Sequence, residues 1–244
     1  MKLVSYKNRH SIFVEFQDKY KALVHTKWAA FLAGEVKNPY FPQVLGHGMV
    51  GNKYSIRDEN HIIIKEYNTW HNIMIRCYND KVKKEIRPTY KDVTCCDEWL
   101  LFENFYEWIH SQENFDRWLN GDKWAVDKDI LVKGNKVYSP ETCCLVPLNV
   151  NSLFVKSNAN RGNFPIGVYT TKGKYYAHII YGSKNNRCKA TAYAYPTPED
   201  AFYLGYKPAK EAYIKKVAQE EYELGNITKG CYKAMMNYQV EITD

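Results

Sequence analysis

No Cys-x-x-Cys pair occurs in this chain of 244 residues, although it contains seven cysteines: Cys77, Cys95, Cys96, Cys143, Cys144, Cys188 and Cys231. A zinc site needs ligands that a turn can aim at one ion, and adjacent cysteines in a strand point to opposite faces, so a zinc knuckle is not expected. The count is odd and includes two adjacent pairs. The expectation is reduced thiols that pack a core in a cytoplasmic protein. Nothing at the start resembles a signal peptide and no apolar run approaches membrane-spanning length, so no membrane partner is expected.

Apolar residues make up 45% of the chain, which is ordinary for a folded protein, while aromatics reach 15% with 21 Tyr. Net charge is +7, and it is unevenly placed. From Asn151 to Val217 there are eleven Lys or Arg against three acids, Glu199, Asp200 and Glu211, a net of +8 that leaves the remainder about neutral. Lys172, Lys174, Lys184, Arg187 and Lys189 alternate there with Tyr175, Tyr176 and Tyr181. Cations and rings in one stretch suit contact with a nucleic-acid backbone, against the bland alternative of a solvated surface.

Hydropathy patterns divide the chain into three segments of an α+β protein. Residues 1–60 alternate apolar and polar in SIFVEF and KALVHTKW, separated by Gln17 to Tyr20, and read as a small β unit built on a hairpin. Residues 61–158 begin with helical spacing: Tyr67, Trp70, Met74 and Cys77 share one face. Asp97 is positioned to cap a second helix that carries Trp99, Phe102, Tyr106 and Ile109. A strand, a Gly134-Asn135 turn, a second strand and a short helix starting near Pro147 follow. Residues 159–244 read as three strands, in IGVYT, KYYAHIIY and RCKATAYAY, laid against one long helix. That helix is capped by Thr197, starts with Pro198 and runs to about Gln219. Its buried face is expected at Phe202, Ala209, Tyr213 and Val217.

Two of these segments resemble known families. TWHNIMIRCYN, DEWLLFENFYEWI and VDKDILVKGNKVYSPETC resemble bacteriophage proteins of the HNH homing-endonuclease type, over roughly residues 66–156. PIGVYTTKGKYYAHI and PTPEDAFYLGYKPAKEAYIKK resemble the APETALA-type (ethylene-response-factor) DNA-binding fold, which such endonucleases often carry behind the nuclease. The resemblance implies a ββα-metal centre followed by a sheet that enters DNA. It also implies the host cytoplasm as location if the chain is phage-encoded.

By position, the family's acidic metal ligand falls on Asp127 and its helix ligand on Asn151, with Asn149 a neighbouring substitute; its middle Asn corresponds to Thr142. Oxygen ligands that leave most of the shell to water and phosphate imply one Mg²⁺, or Mn²⁺. Lys128 stands where the family has the His that activates water, and none of the seven His lies between residues 125 and 154. An ordinary Lys titrates near 10.4, and a base working at neutrality needs a depression of roughly three units. Asp127 and Asp129 oppose that depression, which points to Lys128 as a fixed cation for phosphate.

The leading expectation is a protein that binds double-stranded DNA and hydrolyses a phosphodiester. Asp127, Lys128 and Thr142 would form its catalytic set, and Arg161, Lys172, Lys174, Tyr176, Lys184, Arg187 and Lys189 its DNA contacts. A DNA-binding protein without catalysis on the same frame is the alternative. In that case Asp127 caps the turn or pairs with Lys133, and the two Asn are ordinary helix residues. A protein-interaction module of this shape is a third reading, which leaves the +8 unexplained.

Overall fold

Alternating residues at the start of the chain build a meander of three strands, β1 (Lys2–Asn8), β2 (Ser11–Glu15) and β3 (Leu23–Thr26), paired antiparallel in that order. Period two sends Ile12 and Val14 inward, both fully buried, and Phe13 outward opposite His25. The expected hairpin is therefore β2–β3, with β1 added at its edge. In this computed structural model the described residues are 1–86, 88–121, 123–154, 163–181, 188–189 and 193–243. They form two compact units, one of residues 1–115 and 135–142, the other of 116–134 and 143–244.

In the first unit a short helix α1 (Trp28–Leu32) follows the meander, and α2 (Lys65–Tyr78) buries Trp70, Ile73, Met74 and Cys77 along one face. Trp70 donates its indole N–H to the carbonyl of Trp99 at 2.7 Å, so the large ring is buried without an orphaned donor. Gly48 lies under the same ring, where a Cβ would stand 2.8 Å from its edge. The second expected helix is split: a single 3₁₀ turn, Glu98–Leu100, precedes α3 (Phe102–His110), with the strand β4 (Thr94–Cys95) before both. Asp97 makes no capping hydrogen bond, because its own backbone is already helical (φ −59°, ψ −34°), whereas a side-chain cap requires an extended residue. Trp99, Phe102, Phe105 and Ile109 are all fully buried.

The second unit opens with α4 (Phe115–Asn120), at whose first residue the units divide, and β5 (Trp124–Asp127). β6 (Val137–Tyr138) belongs to the first unit and pairs in parallel with β4. β7 (Cys144–Pro147) pairs antiparallel with β5, Asp127 opposite Cys144, and α5 (Leu148–Ser152) follows and packs on both strands. Gly134, at φ +77°, supplies the bend expected of it, but the strands it connects are 16 residues apart rather than joined by a tight turn.

β8 (Val168–Thr171) and β9 (Lys174–Ala177) form a hairpin, and Tyr175 bridges antiparallel to Tyr195. β10 (Ile180–Tyr181) pairs with β11 (Cys188–Lys189) as a separate two-stranded ladder. Three strands in one sheet are thus not what the described residues form: the third ladder contact of β8–β9 is the single bridge at Tyr195. The helix is as expected at its start, where Thr197 Oγ1 accepts from the backbone N–H of Asp200 at 3.0 Å and Pro198 takes the first position. It runs as α6 (Pro198–Asp200), a π-helical stretch (Ala201–Tyr206) and α7 (Lys207–Glu223), then turns into α8 (Lys229–Met236). One core joins these elements, with Ile130, Cys144, Val146 and Val150 from the strand and α5 region clustered with Ala177, Phe202, Ile214 and Met235.

Candidate functional site

The residues that the family resemblance singles out are mostly occupied with holding their own loops. Asp127 ends β5, and its Oδ1 accepts the backbone N–H groups of Asp129 at 2.7 Å and Ile130 at 2.8 Å. A short carboxylate that collects amides two and three residues on is an Asx turn, and it fixes the exit of the chain from the strand. Burial pushes the Asp127 carboxyl above its ordinary value in spite of those two N–H donors. The Lys133 ammonium donates to the Gln239 carbonyl at 2.6 Å.

Lys128 is turned inward. It is 7% exposed, and its ammonium lies 2.7 Å from Asp129 Oδ1. A cation so placed is not presented to a phosphate backbone, and its positive charge acts on Asp127 from close by. Thr142, in the first unit, also has its hydroxyl engaged locally. Its Oγ1 donates to the Val137 carbonyl at 2.8 Å and shares a hydrogen bond with Ser139 Oγ at 3.0 Å.

On α5, Asn149 is exposed and donates Nδ2 to Glu221 Oε1 on α7 at 2.6 Å. Glu221 Oε2 accepts from Asn226 Nδ2 at 2.7 Å, and Asn226 Oδ1 accepts from Arg117 at 2.9 Å. This chain of polar contacts ties α4, α5 and α7 together. Asn151 is half-buried, and its side chain makes no hydrogen bond among the described residues.

The basic hairpin is arranged differently. Its two-residue turn places Lys172 at φ +51° and Gly173 at φ +72°, the mirror-image turn that matches strand twist. One face, with Val168 and Ala177, lies against the π-helical stretch: a Cβ on Gly205 would stand 2.6 Å from Ala177 Cβ, and one on Gly167 would stand 1.9 Å from the Tyr206 ring. The opposite face carries Tyr169, Thr171, Lys174 and Tyr176. The cross-strand pair Tyr169 and Tyr176 stacks at 5.4 Å, and Tyr169 remains 45% exposed. Lys172 and Lys174 are exposed, and neither is in an ion pair among the described residues. Arg161, Lys184 and Arg187 lie outside the described residues, and of Lys189 only the backbone is described.

On the helix, Lys215 is exposed without an ion pair among the described residues, and two other cations have partners. Lys207 donates to the Val240 carbonyl at 2.6 Å and pairs with Glu211 at 3.0 Å, while Lys216 faces Glu220 at 3.8 Å.

Sequence reading missed two buried carboxylates in the first unit. Glu103 Oε1 accepts the backbone N–H groups of Asn52 at 2.7 Å and Lys53 at 2.6 Å, and Glu66 contacts His110 Nε2 at 3.0 Å. Both sit on otherwise apolar helix faces, which was the available signal, since a buried acid needs a partner. It missed Cys96 as well: a contact with the Cys95 side chain, together with the Trp99 backbone N–H, brings this half-buried thiol down to about 7. Among the described residues no helix is long and apolar enough to cross a membrane, and no cluster of three or more His, Cys, Asp or Glu could hold a metal. No protein family, curated protein or solved structure matches the chain.

Proposed function

We propose that this protein binds double-stranded DNA through the outer face of the β8–β9 hairpin and that the HNH-like frame beside Asp127 serves as a scaffold rather than a catalyst. The observation that carries the binding is that face: a stacked tyrosine pair with uncommitted lysines at one end, backed by the helix that buries the other side. A β surface of this width enters a major groove, where cations meet phosphates and rings meet base edges or sugars. The resemblance to the APETALA-type fold supports the same reading.

Two contacts of the frame support the scaffold reading. One Asp127 oxygen is taken up by two backbone amides, and the adjacent ammonium of Lys128 is buried where a dication would be repelled. The shielding of Lys128 and its pairing with Asp129 support the same scaffold reading.

One experiment tests both halves. Duplex binding is followed by fluorescence anisotropy, and nicking of supercoiled plasmid is followed in Mg²⁺ and in Mn²⁺, for the parent, Lys172→Ala/Lys174→Ala, Asp127→Ala and Lys128→His. The expected result is binding by the parent, weaker binding by the double lysine variant, and no metal-dependent nicking by any of the four. Nicking by the parent that Asp127→Ala abolishes would establish the nuclease instead, and absence of duplex binding would remove the proposal.

A further inference from the structure

A second set of exposed cations lies at the other end of the chain, of which Arg9 donates to His10 Nε2 at 3.0 Å and Lys19 lies over the Tyr20 ring. Residues 1–28 hold Lys2, Lys7, Arg9, Lys19, Lys21 and Lys27 against two acids, a net of +4 that sequence reading merges into an apparently neutral remainder. All six cations are exposed, and none forms an ion pair among the described residues. The two acids are already occupied. Asp18 accepts from Asn38 Nδ2 at 2.5 Å and from the backbone N–H groups of Tyr20 and Lys21, and Glu15 accepts from Gln17 at 2.8 Å. Those donors are neutral, so both acids keep their charge, Glu15 directly opposite Lys2, and the segment projects the field of its net +4.

The same sheet leaves rings in the open. With Ile12 and Val14 turned inward, the outer face presents Phe13, 39% exposed, and His25 as a cross-strand pair at 5.0 Å, while Tyr6 on β1 stands opposite Ile12 and packs edge-on against Trp28. We infer that the β1–β2–β3 meander is a second DNA-binding surface, so that each of the two units contributes its own contact to the duplex phosphates. The inference rests on the DNA-binding reading above and extends it to the first unit.

Two features of β1 favour a polyanion over an added peptide strand. Its pairing with β2 shifts register between Leu3 and Ser5 and again between Tyr6 and Asn8, and such bulges twist an edge away from regular pairing. Lys2 and Lys7 stand on that edge, the placement that discourages strand addition. Lys2 and Lys7 on β1, with Arg9, Lys19, Lys21 and Lys27 in the connections that flank the strands, make a multi-point basic surface that suits duplex DNA, which carries a charge about every 1.7 Å along its axis.

The test uses the full chain with Lys2, Lys7, Arg9 and Lys27 each changed to Gln, all exposed positions whose exchange leaves the core untouched. Duplex affinity is measured across a salt series, and the protected length on a long duplex is read by hydroxyl-radical footprinting. The variant should bind at least tenfold more weakly, its log–log salt slope should fall by up to about 3.6, near 0.9 per contact, and its footprint should shorten. A parent that binds duplex while the variant keeps the same slope and footprint overturns the second surface and leaves the hairpin reading intact. Polyglutamate competing as well as duplex at equal charge overturns it too, in favour of an acidic protein partner. A parent with no duplex affinity overturns both, and the Lys172→Ala/Lys174→Ala variant separates the cases because it weakens only the hairpin contact.

Discussion

Asp127 illustrates how a residue that resembles a metal ligand can act as a turn residue, and the two roles respond differently to one substitution. Asn at position 127 keeps an acceptor for the two amides and removes the buried charge, so Asp127→Asn should be at least as stable as the parent at neutral pH in urea unfolding. Asp127→Ala orphans both N–H groups and should cost about 1–2 kcal/mol. The pH dependence has a definite sign. The folded carboxyl titrates above its ordinary 3.8, so the fold binds more protons than the unfolded chain in that window. Stability from this group is then present below the unfolded value, declines as pH rises to the folded value, and is flat beyond. Asp127→Asn should lack that decline, and its advantage over the parent should grow through the acid range and then level off. Cys96 offers a second check at this scale: with its thiol near 7, labelling by iodoacetamide should rise through neutrality, and Cys96→Ser should remove the fastest-reacting site. At this scale the sequence showed which residues are polar and closely spaced. It could not show that Lys128 turns inward, since that depends on Asp129 being placed to receive it.

Elements were more legible than residues. The Thr197 cap is visible because an N-cap signal is local: a hydroxyl, a proline and two acids in succession. Thr197→Ala should cost about 1 kcal/mol, read as a lower thermal midpoint with unchanged helix content. The buried face of the following helix was read less well. Phe202 and Val217 are buried as expected, but Ile214 and Ala218 are more deeply buried than Ala209 and Tyr213. The π-helical turn at Ala201–Tyr206 explains the slip, for it adds a residue to one turn and rotates everything after it relative to a 3.6-residue period. The same element supports a prediction about binding. Lys174→Ala should weaken duplex binding and lower the salt slope by about 0.9, while Lys215→Ala and Lys216→Ala should change it little. Equal losses at all three would mean a diffuse field in place of a binding face.

For the whole molecule, fold class followed from period, which is summed along the chain, whereas the expected boundary near residue 159 falls inside the second unit, whose core joins Ile130, Cys144, Val146 and Val150 to residues of the basic end. The grouping into two units did not follow, because it depends on pairings such as β4 with β6, which lie far apart in sequence and are only two residues long. The consequence reaches a natural experiment, removal of residues 160–244 to test DNA binding. Eleven of the fifteen buried residues in the second unit's core, from Ala177 to Val240, lie in that stretch. The truncated protein should lose cooperative unfolding of β5, β7 and α5 as well as DNA affinity, and amide exchange at Val126 and Leu145 would report it. Point changes at Lys172 and Lys174 are the cleaner probe.

The stretch 135–142 belongs to the first unit although both its chain neighbours belong to the second. During synthesis, the first unit therefore cannot complete its β4–β6 ladder until β5 has already left the ribosome, and β5 must then wait for β7. The two units are assembled in interleaved order, each holding an unfinished edge while the other advances. A pause with the chain emerged only as far as Asp127 would leave both incomplete at once, whereas one with Pro147 already outside the ribosome would leave the first unit able to close.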